Sequence, residues 1–409
     1  MTIDEIVRQT LREWSGDARV PADLADRALG RRRRAVKRAF AVVAGATAGV
    51  VAVFVVPGMR ERVAQPIETL EHDRTVTVQT DPGSGREVLA DPDGGPPEKL
   101  VAAYDRAVYA YHIRKEKQVA EGAKVVQWTW FVYDTEAGTY KKAPWAMLDV
   151  APGGETVAVL EELPARRVGV VATRGGPVRW IDLERPAAWV SWSPDGRRLL
   201  VTNYDWNPLL FVTIPPEGGT TTAQSIRTGF TVVDVEGGRA AFHEVGWTGR
   251  SLDRGKSFRW SADGTMVWEW RLDYSDGKVF YDLEGNVLPI PEKERNGSFQ
   301  EAGLSPSGRW LADDPAALAV TDTETGRTVP LPRAVAGHRI MQLLAWADDD
   351  HLIAWACELK GSDCAGGGFR NRLVVISRDG MSLTPLTGFR ADSRKPGSWE
   401  PLVGHRRPS

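Results

Sequence analysis

From about residue 100 onward, apolar and polar positions alternate in short runs with a period of two, and Gly, Pro, Asn and Asp cluster between the runs. This pattern predicts short strands joined by tight turns. The turns recur. Val150-Ala151-Pro152-Gly153-Gly154, Trp192-Ser193-Pro194-Asp195-Gly196, Trp260-Ser261-Ala262-Asp263-Gly264, Leu304-Ser305-Pro306-Ser307-Gly308 and Trp346-Ala347-Asp348-Asp349-Asp350 have their second positions 42, 68, 44 and 42 residues apart. An apolar run follows each copy, at 157–160, 199–201, 266–270, 310–312 and 352–356, so each unit begins as strand, turn, strand. A second hairpin completes the unit, at 167–182, 228–245, 277–290, 317–331 and 372–386. Four antiparallel strands every 42 to 44 residues is the period of a β-propeller blade.

One earlier hairpin, 124–144 around Glu136-Ala137-Gly138, belongs with a strand at 104–113. Adding it to the five marked units predicts an all-β propeller of six four-stranded blades over residues 101–404, followed by a tail at 405–409. Seven blades is the alternative, because the 68-residue step has room for an insertion or an additional element between 201 and 228. Closure of the ring is expected through a strand at 75–80 or through residues 399–403, since pairing the chain ends removes an exposed sheet edge.

The pattern at the N-terminus is different. Residues 39–56 are eighteen positions without a charge, and Pro57, Gly58 and Met59 bring the run to the length of a membrane-crossing helix. Arg31 to Arg34, Lys37 and Arg38 precede it, which predicts residues 1–38 in the cytoplasm and the propeller outside. Small-x-small triplets at 44–46 and 46–48 offer a cleaved signal peptide as the alternative; either cut leaves a short apolar core, which favours an uncleaved signal-anchor. Gly45 and Gly49, extended by Ala41 and Ala52, form a stripe suited to helix packing and a weak dimer. Two short amphipathic helices are expected within the cytoplasmic segment. Residues 60–100, rich in Asp, Glu, Gly and Pro, read as an extracytoplasmic stalk.

The pentapeptides resemble the WSPDG signature of TolB-type and related WD40-like propellers, which forms the hairpin between two strands of a blade. Trp192 to Gly196 matches it at every position, and the other copies depart at one or more. The resemblance covers roughly residues 145–390 and implies an architecture without implying an activity. No Trp-Asp dipeptide of the ordinary WD repeat occurs, which favours the TolB-like group.

Charge and chemistry refine this picture. The 409 residues carry a formal net charge of -2, divided between +4 in residues 1–38 and -6 in the remainder. A mildly acidic outer domain gives no support to a nucleic-acid partner. The two cysteines, Cys357 and Cys364, lie close together on the expected oxidising side and are read as a local disulfide. They do not complete a zinc site by themselves, and no metal or other cofactor is expected. Trp192, Trp260 and Trp346 precede equivalent turns and are expected to pack between neighbouring blades; Trp206, Trp247 and Trp399 lie outside the repeat and are the candidate ligand contacts. Asp195 and Asp263 are expected to bond their own turns. No G-x-S-x-G elbow occurs, and no two of the six histidines have helical metal-ligand spacing; His112, His243 and His351, beside acidic residues, are the remaining candidates for a site assembled from several blades.

These observations favour a noncatalytic binding or scaffolding propeller, tethered to the lipid bilayer and partnered with an envelope protein, peptide or polymer. A propeller hydrolase, lyase or lactonase is the enzymatic alternative. A sensor coupling the propeller to a cytoplasmic partner through the Gly45/Gly49 face is the third.

Overall fold

The computed structural model describes residues 87–214, 219–222, 227–245, 257–270, 278–294, 301–313, 318–332, 334–359, 364, 370–390 and 398–406. The chain divides into two compact units, Met1–Thr75 and Val76–Ser409, and every described residue belongs to the second. The apolar run at 39–59, with Gly45 and Gly49, the strand at 75–80 and Trp247 lie outside the described residues. Among the described residues no helix is long and apolar enough to cross a membrane.

The fold is an all-β propeller. Described strands form five hydrogen-bonded sheets, of seven, seven, four, three and four strands, and adjacent strands pair antiparallel throughout. The first sheet is built on Arg106–Ala120 and Ala123–Asp134, with Trp399–His405 and Thr139–Ala143 on either side. The second runs from Met147–Val150 to Arg239–Glu244. Arg259–Trp260 to Val287–Leu288 make the third, Trp310–Asp313 to Thr328–Pro330 the fourth, and His338–Trp346 to Leu383–Pro385 the fifth.

This topology corrects the expected blade count. Counted as separate sheets of at least four strands, the ring has four blades, not six or seven, and the fourth sheet stops at three strands. One cause is the fourteen-residue strand Arg179–Trp192. Its first part pairs with Ala165–Ala172 and its second part, from Ala187, with Arg198–Tyr204, so two sequence repeats become one continuous sheet. The other cause is the long step in the repeat. Its hairpin, Leu210–Ile214 with Gly219–Thr222, leaves its own unit and pairs with Ala123–Val125 of the first sheet.

Closure uses the C-terminal alternative. Trp399–His405 pairs with Arg106–Ile113, joining the two ends of the unit within one sheet. Residues on the N-terminal side of that strand also pack onto the ring: Leu89 bridges Ala102, and Asp91 bridges Thr387. The segment expected as stalk therefore belongs to the propeller from at least residue 87.

Burial falls from one edge of a sheet to the other. Met147–Val150 and Thr156–Leu160 are almost wholly buried, whereas Arg239–Glu244, at the far edge of the same sheet, is largely exposed. Met147–Val150 lies beside both Trp399–His405 and the long strand Arg179–Trp192, so this well-buried strand packs between the first sheet and the rest of its own. Radial packing of this kind buries both faces of a sheet too small to be stable alone. The disulfide expected between Cys357 and Cys364 is present and leaves no free cysteine.

Candidate functional site

The repeated tryptophans lock one unit to the preceding one. Indole N–H groups of Trp192, Trp260 and Trp346 donate to the carbonyls of Asp149, Ser191 and Gly303, at 3.2, 3.3 and 2.9 Å. Each acceptor stands two residues before the second position of the preceding pentapeptide. The copy beginning at Leu304 has no indole and makes no such bond. In the turns, Asp195 accepts from the Ser193 hydroxyl at 2.5 Å, and Asp263 accepts from Ser261 at 2.6 Å and from the Thr265 amide at 3.0 Å. Asp349 instead reaches back one unit and accepts from the amide and hydroxyl of Ser307, beside Pro306. Gly196, Gly264 and Gly308 have φ of +70°, +69° and +71°, a conformation that a side chain disfavours. These motif residues are architecture: their polar atoms are satisfied within and between the turns.

Of the tryptophans outside the repeat, Trp206 is half-buried. Trp399, expected as an exposed contact, is instead 2% exposed. It packs edge-on against Tyr111 and Trp355 at ring distances of 6.0 and 5.4 Å. The reason is its place in the closing strand, where one face must fill the gap between the first and fifth sheets.

A cluster of two guanidinium–carboxylate pairs, one beside the Trp260 pentapeptide and one on the closing strand, has the character of a site. Arg259 begins the edge strand of the third sheet and pairs with Glu301 at 3.4 Å. Glu400, in the closing strand, pairs with Arg390 at 2.5 Å. Burial raises the pKa of Glu400, the charge and hydrogen bond of Arg390 oppose it, and the Glu301 charge adds the smallest contribution, upward, so the first pair acts weakly on the second. Arg259, Glu301 and Glu400 keep 37, 43 and 36% of their side-chain surface, so a ligand can reach them, whereas Arg390 keeps 3% and acts from behind. Arg390 is held by Asn371 Oδ1 at 2.6 Å, by the Trp399 carbonyl at 2.8 Å and over the Trp355 ring at 3.5 Å.

His112 stands opposite Glu400 in the strand register, on the same sheet face. Its ring lies against Trp130 and Trp128 at 4.6 and 5.0 Å, and Trp128 meets Trp189 edge-on at 5.3 Å. Burial, with the Arg390 charge second, lowers the His112 pKa to about 4, so the imidazole is neutral at pH 7. Its buried Nδ1 has no hydrogen-bond partner among the described residues. The other candidate histidines are differently placed. His351 bonds Asp348 at 2.9 Å and stacks on Tyr104 at 4.0 Å, while His243 lies beside Phe230. Among the described residues no group of three or more His, Cys, Asp or Glu side chains is placed to hold a metal ion.

A second polar cluster is internal. Glu269 pairs with Arg227 and accepts from the Tyr281 hydroxyl at 2.5 Å, and Lys278 pairs with Glu294 at 2.5 Å; all five are buried. Pairing and hydrogen bonding offset the cost of removing these groups from water. They fasten strands together and present nothing to a ligand.

No family model and no curated protein matches the chain. Solved propellers are similar at low identity. A TolB protein from Agrobacterium tumefaciens is 14% identical, over 66% of this chain and 93% of the other, with a TM-score of 0.38. The β-propeller domain of the Trilobed protease from Pyrococcus furiosus is 12% identical, over 76% and 99%, with a TM-score of 0.39. An acylaminoacyl peptidase is 13% identical over 70% of this chain and only 46% of the peptidase, with a TM-score of 0.39. None of these likenesses carries an argument about chemistry.

Proposed function

We propose that this chain is a membrane-tethered, extracytoplasmic binding or scaffolding propeller that holds its partner at the inner-strand mouth formed by Arg259, Glu301, Glu400 and Arg390. The observation that carries this reading is the presence of two guanidinium–carboxylate pairs, Arg259–Glu301 and Arg390–Glu400, with three of the four side chains reachable from solvent and Glu301 near enough for its charge to act on Glu400. Alternating fixed charges beside the His112–Trp128–Trp189 cluster suit a polar peptide or polymer of the cell envelope, which supplies both donors and acceptors. The apolar run at 39–56 with its basic flank supports the tether. The Cys357–Cys364 bridge supports an oxidising compartment for the propeller.

Capture on the immobilised full chain, in detergent, is the test. A saturable envelope component should be retained by the wild type and lost from the double variant Arg259→Ala/Glu301→Ala with its thermal melt unchanged. Retention by the double variant, or turnover of a defined small substrate without any retained component, would refute the reading.

A further inference from the structure

A separate cavity of about 350 Å³ opens between residues 93–98 and the outer part of the first sheet. Its floor is aromatic. Tyr111 stacks on Phe131 with ring centroids 4.9 Å apart, and Tyr140 lies tilted at 5.1 Å from Tyr111. Tyr140 is fixed by donating its hydroxyl to the Val108 carbonyl at 2.6 Å. Tyr111 is only 6% exposed, lines the cavity, and its hydroxyl has no hydrogen-bond partner among the described residues.

The rim is acidic. Asp93 and Glu98 line the cavity, and neither carboxylate has an ion-pair or hydrogen-bond partner among the described residues. The backbone that carries them is held in place. Asp91 accepts from the amides of Glu98 and Lys99 at 2.7 and 3.2 Å, the Gly94 carbonyl accepts from Gly388 at 2.9 Å, and the Glu98 carbonyl accepts from Thr139 at 3.1 Å. A Cβ on Gly95 would meet the Phe389 carbonyl oxygen at 2.5 Å, so the loop lies directly on the fifth sheet's margin. The fixed cation that acts on Asp93 is Arg372, whose guanidinium is engaged by the carbonyls of Thr387 and Pro92 and by the Phe389 ring. Glu98, in turn, faces Tyr111 closely enough for its charge to raise the phenol's pKa further, after burial.

Aromatic faces attract cations through their quadrupole, and carboxylates at the mouth of an aromatic pocket repel anions while drawing positive charge. We propose that this cavity binds a basic side chain, lysine or arginine, presented by a partner polypeptide. The alkyl stem lies on Tyr111 and Phe131, and the charged head sits between Glu98 and Asp93, as long basic side chains do at the boundary of apolar and wet surfaces. These residues are distinct from the four of the inner-strand mouth, so either assignment can fail without the other.

Saturation-transfer NMR on the full chain in detergent micelles tests it, with Nα-acetyl-lysine methylamide, its arginine counterpart and neutral Nα-acetyl-norleucine methylamide as probes. Both cationic probes should bind, with norleucine weaker by about tenfold. Glu98→Gln should weaken the cationic probes by about fivefold and leave norleucine unchanged; Asp93→Asn should act in the same direction. Both side chains are exposed, and an unchanged thermal melt verifies the fold of each variant. Equal binding of norleucine, no binding of the cationic probes, or unaltered affinity in both folded variants would overturn the assignment.

Discussion

Asp149 offers a sharp test of how the inner strands are packed. Its carboxylate accepts the Trp192 backbone N–H at 2.6 Å while its backbone carbonyl accepts the Trp192 indole, so one residue ties two repeats together. Burial raises its pKa from the ordinary 3.8 to about 7, against the smaller opposing effect of the bonds from Trp192 and Val150. The folded state thus holds a proton that the unfolded state has released, and stability falls as pH rises from about 4 to about 7. The full shift corresponds to at most about 4 kcal/mol, of which about 2.6 kcal/mol falls between pH 5 and pH 8. Asp149 retains some solvent contact, which reduces the expected change over that interval to about 1 to 2 kcal/mol. His112 and His405, whose pKa values burial lowers to about 4 and about 3, act in the opposite direction, so the wild type alone does not isolate the effect. Asp149→Asn keeps an acceptor for Trp192 and removes the titration. Urea denaturation should show the variant gaining about 1 to 2 kcal/mol over the wild type as pH rises from 5 to 8. Parallel pH profiles for the two proteins would refute the reasoning.

Other outcomes follow from the same packing. Trp346 is 1% exposed and donates to the Gly303 carbonyl, which also accepts from the Ala312 amide, so Trp346→Ala should destabilise by about 4 kcal/mol in urea denaturation, chiefly through the cavity it leaves. Gly264 has φ +69°, and a Cβ there would lie 3.0 Å from the Pro194 ring, so Gly264→Ala should cost about 1 to 2 kcal/mol by the same assay. Alkylation without reductant followed by mass spectrometry should find Cys357 linked to Cys364, and reduction should lower stability by about 2.5 kcal/mol for so short a loop.

The period of the turns made the propeller legible, because each pentapeptide joins two strands and four of the five do so with a glycine in the left-handed region. Blade count was not legible from that period. Glu184-Arg185-Pro186 interrupts the apolar pattern like a connection, yet the strand continues through it, with register shifts against one neighbour between Asp182 and Ala187 and against the other between Ala187 and Trp189. The 68-residue step looked like an insertion within its unit, but its hairpin pairs with a strand some 85 positions earlier, a partner that local pattern does not indicate. Trp399 looked available because it lies outside every pentapeptide; strand closure makes it core. The mouth residues stand at no motif position. Arg259, Glu301, Arg390 and Glu400 come together only through the ring, and His112 showed no more than proximity to charged neighbours in the chain.

The most direct test of the binding account is amide hydrogen exchange on the full chain with and without its captured envelope component. The account predicts slowed exchange at residues 257–259, 301–302 and 398–400, which carry Arg259, Glu301 and Glu400, with the pentapeptide turns at 150–154 and 193–196 unaffected. Protection confined to those turns, or no change around Arg259, Glu301 and Glu400 when the component is saturating, would contradict it.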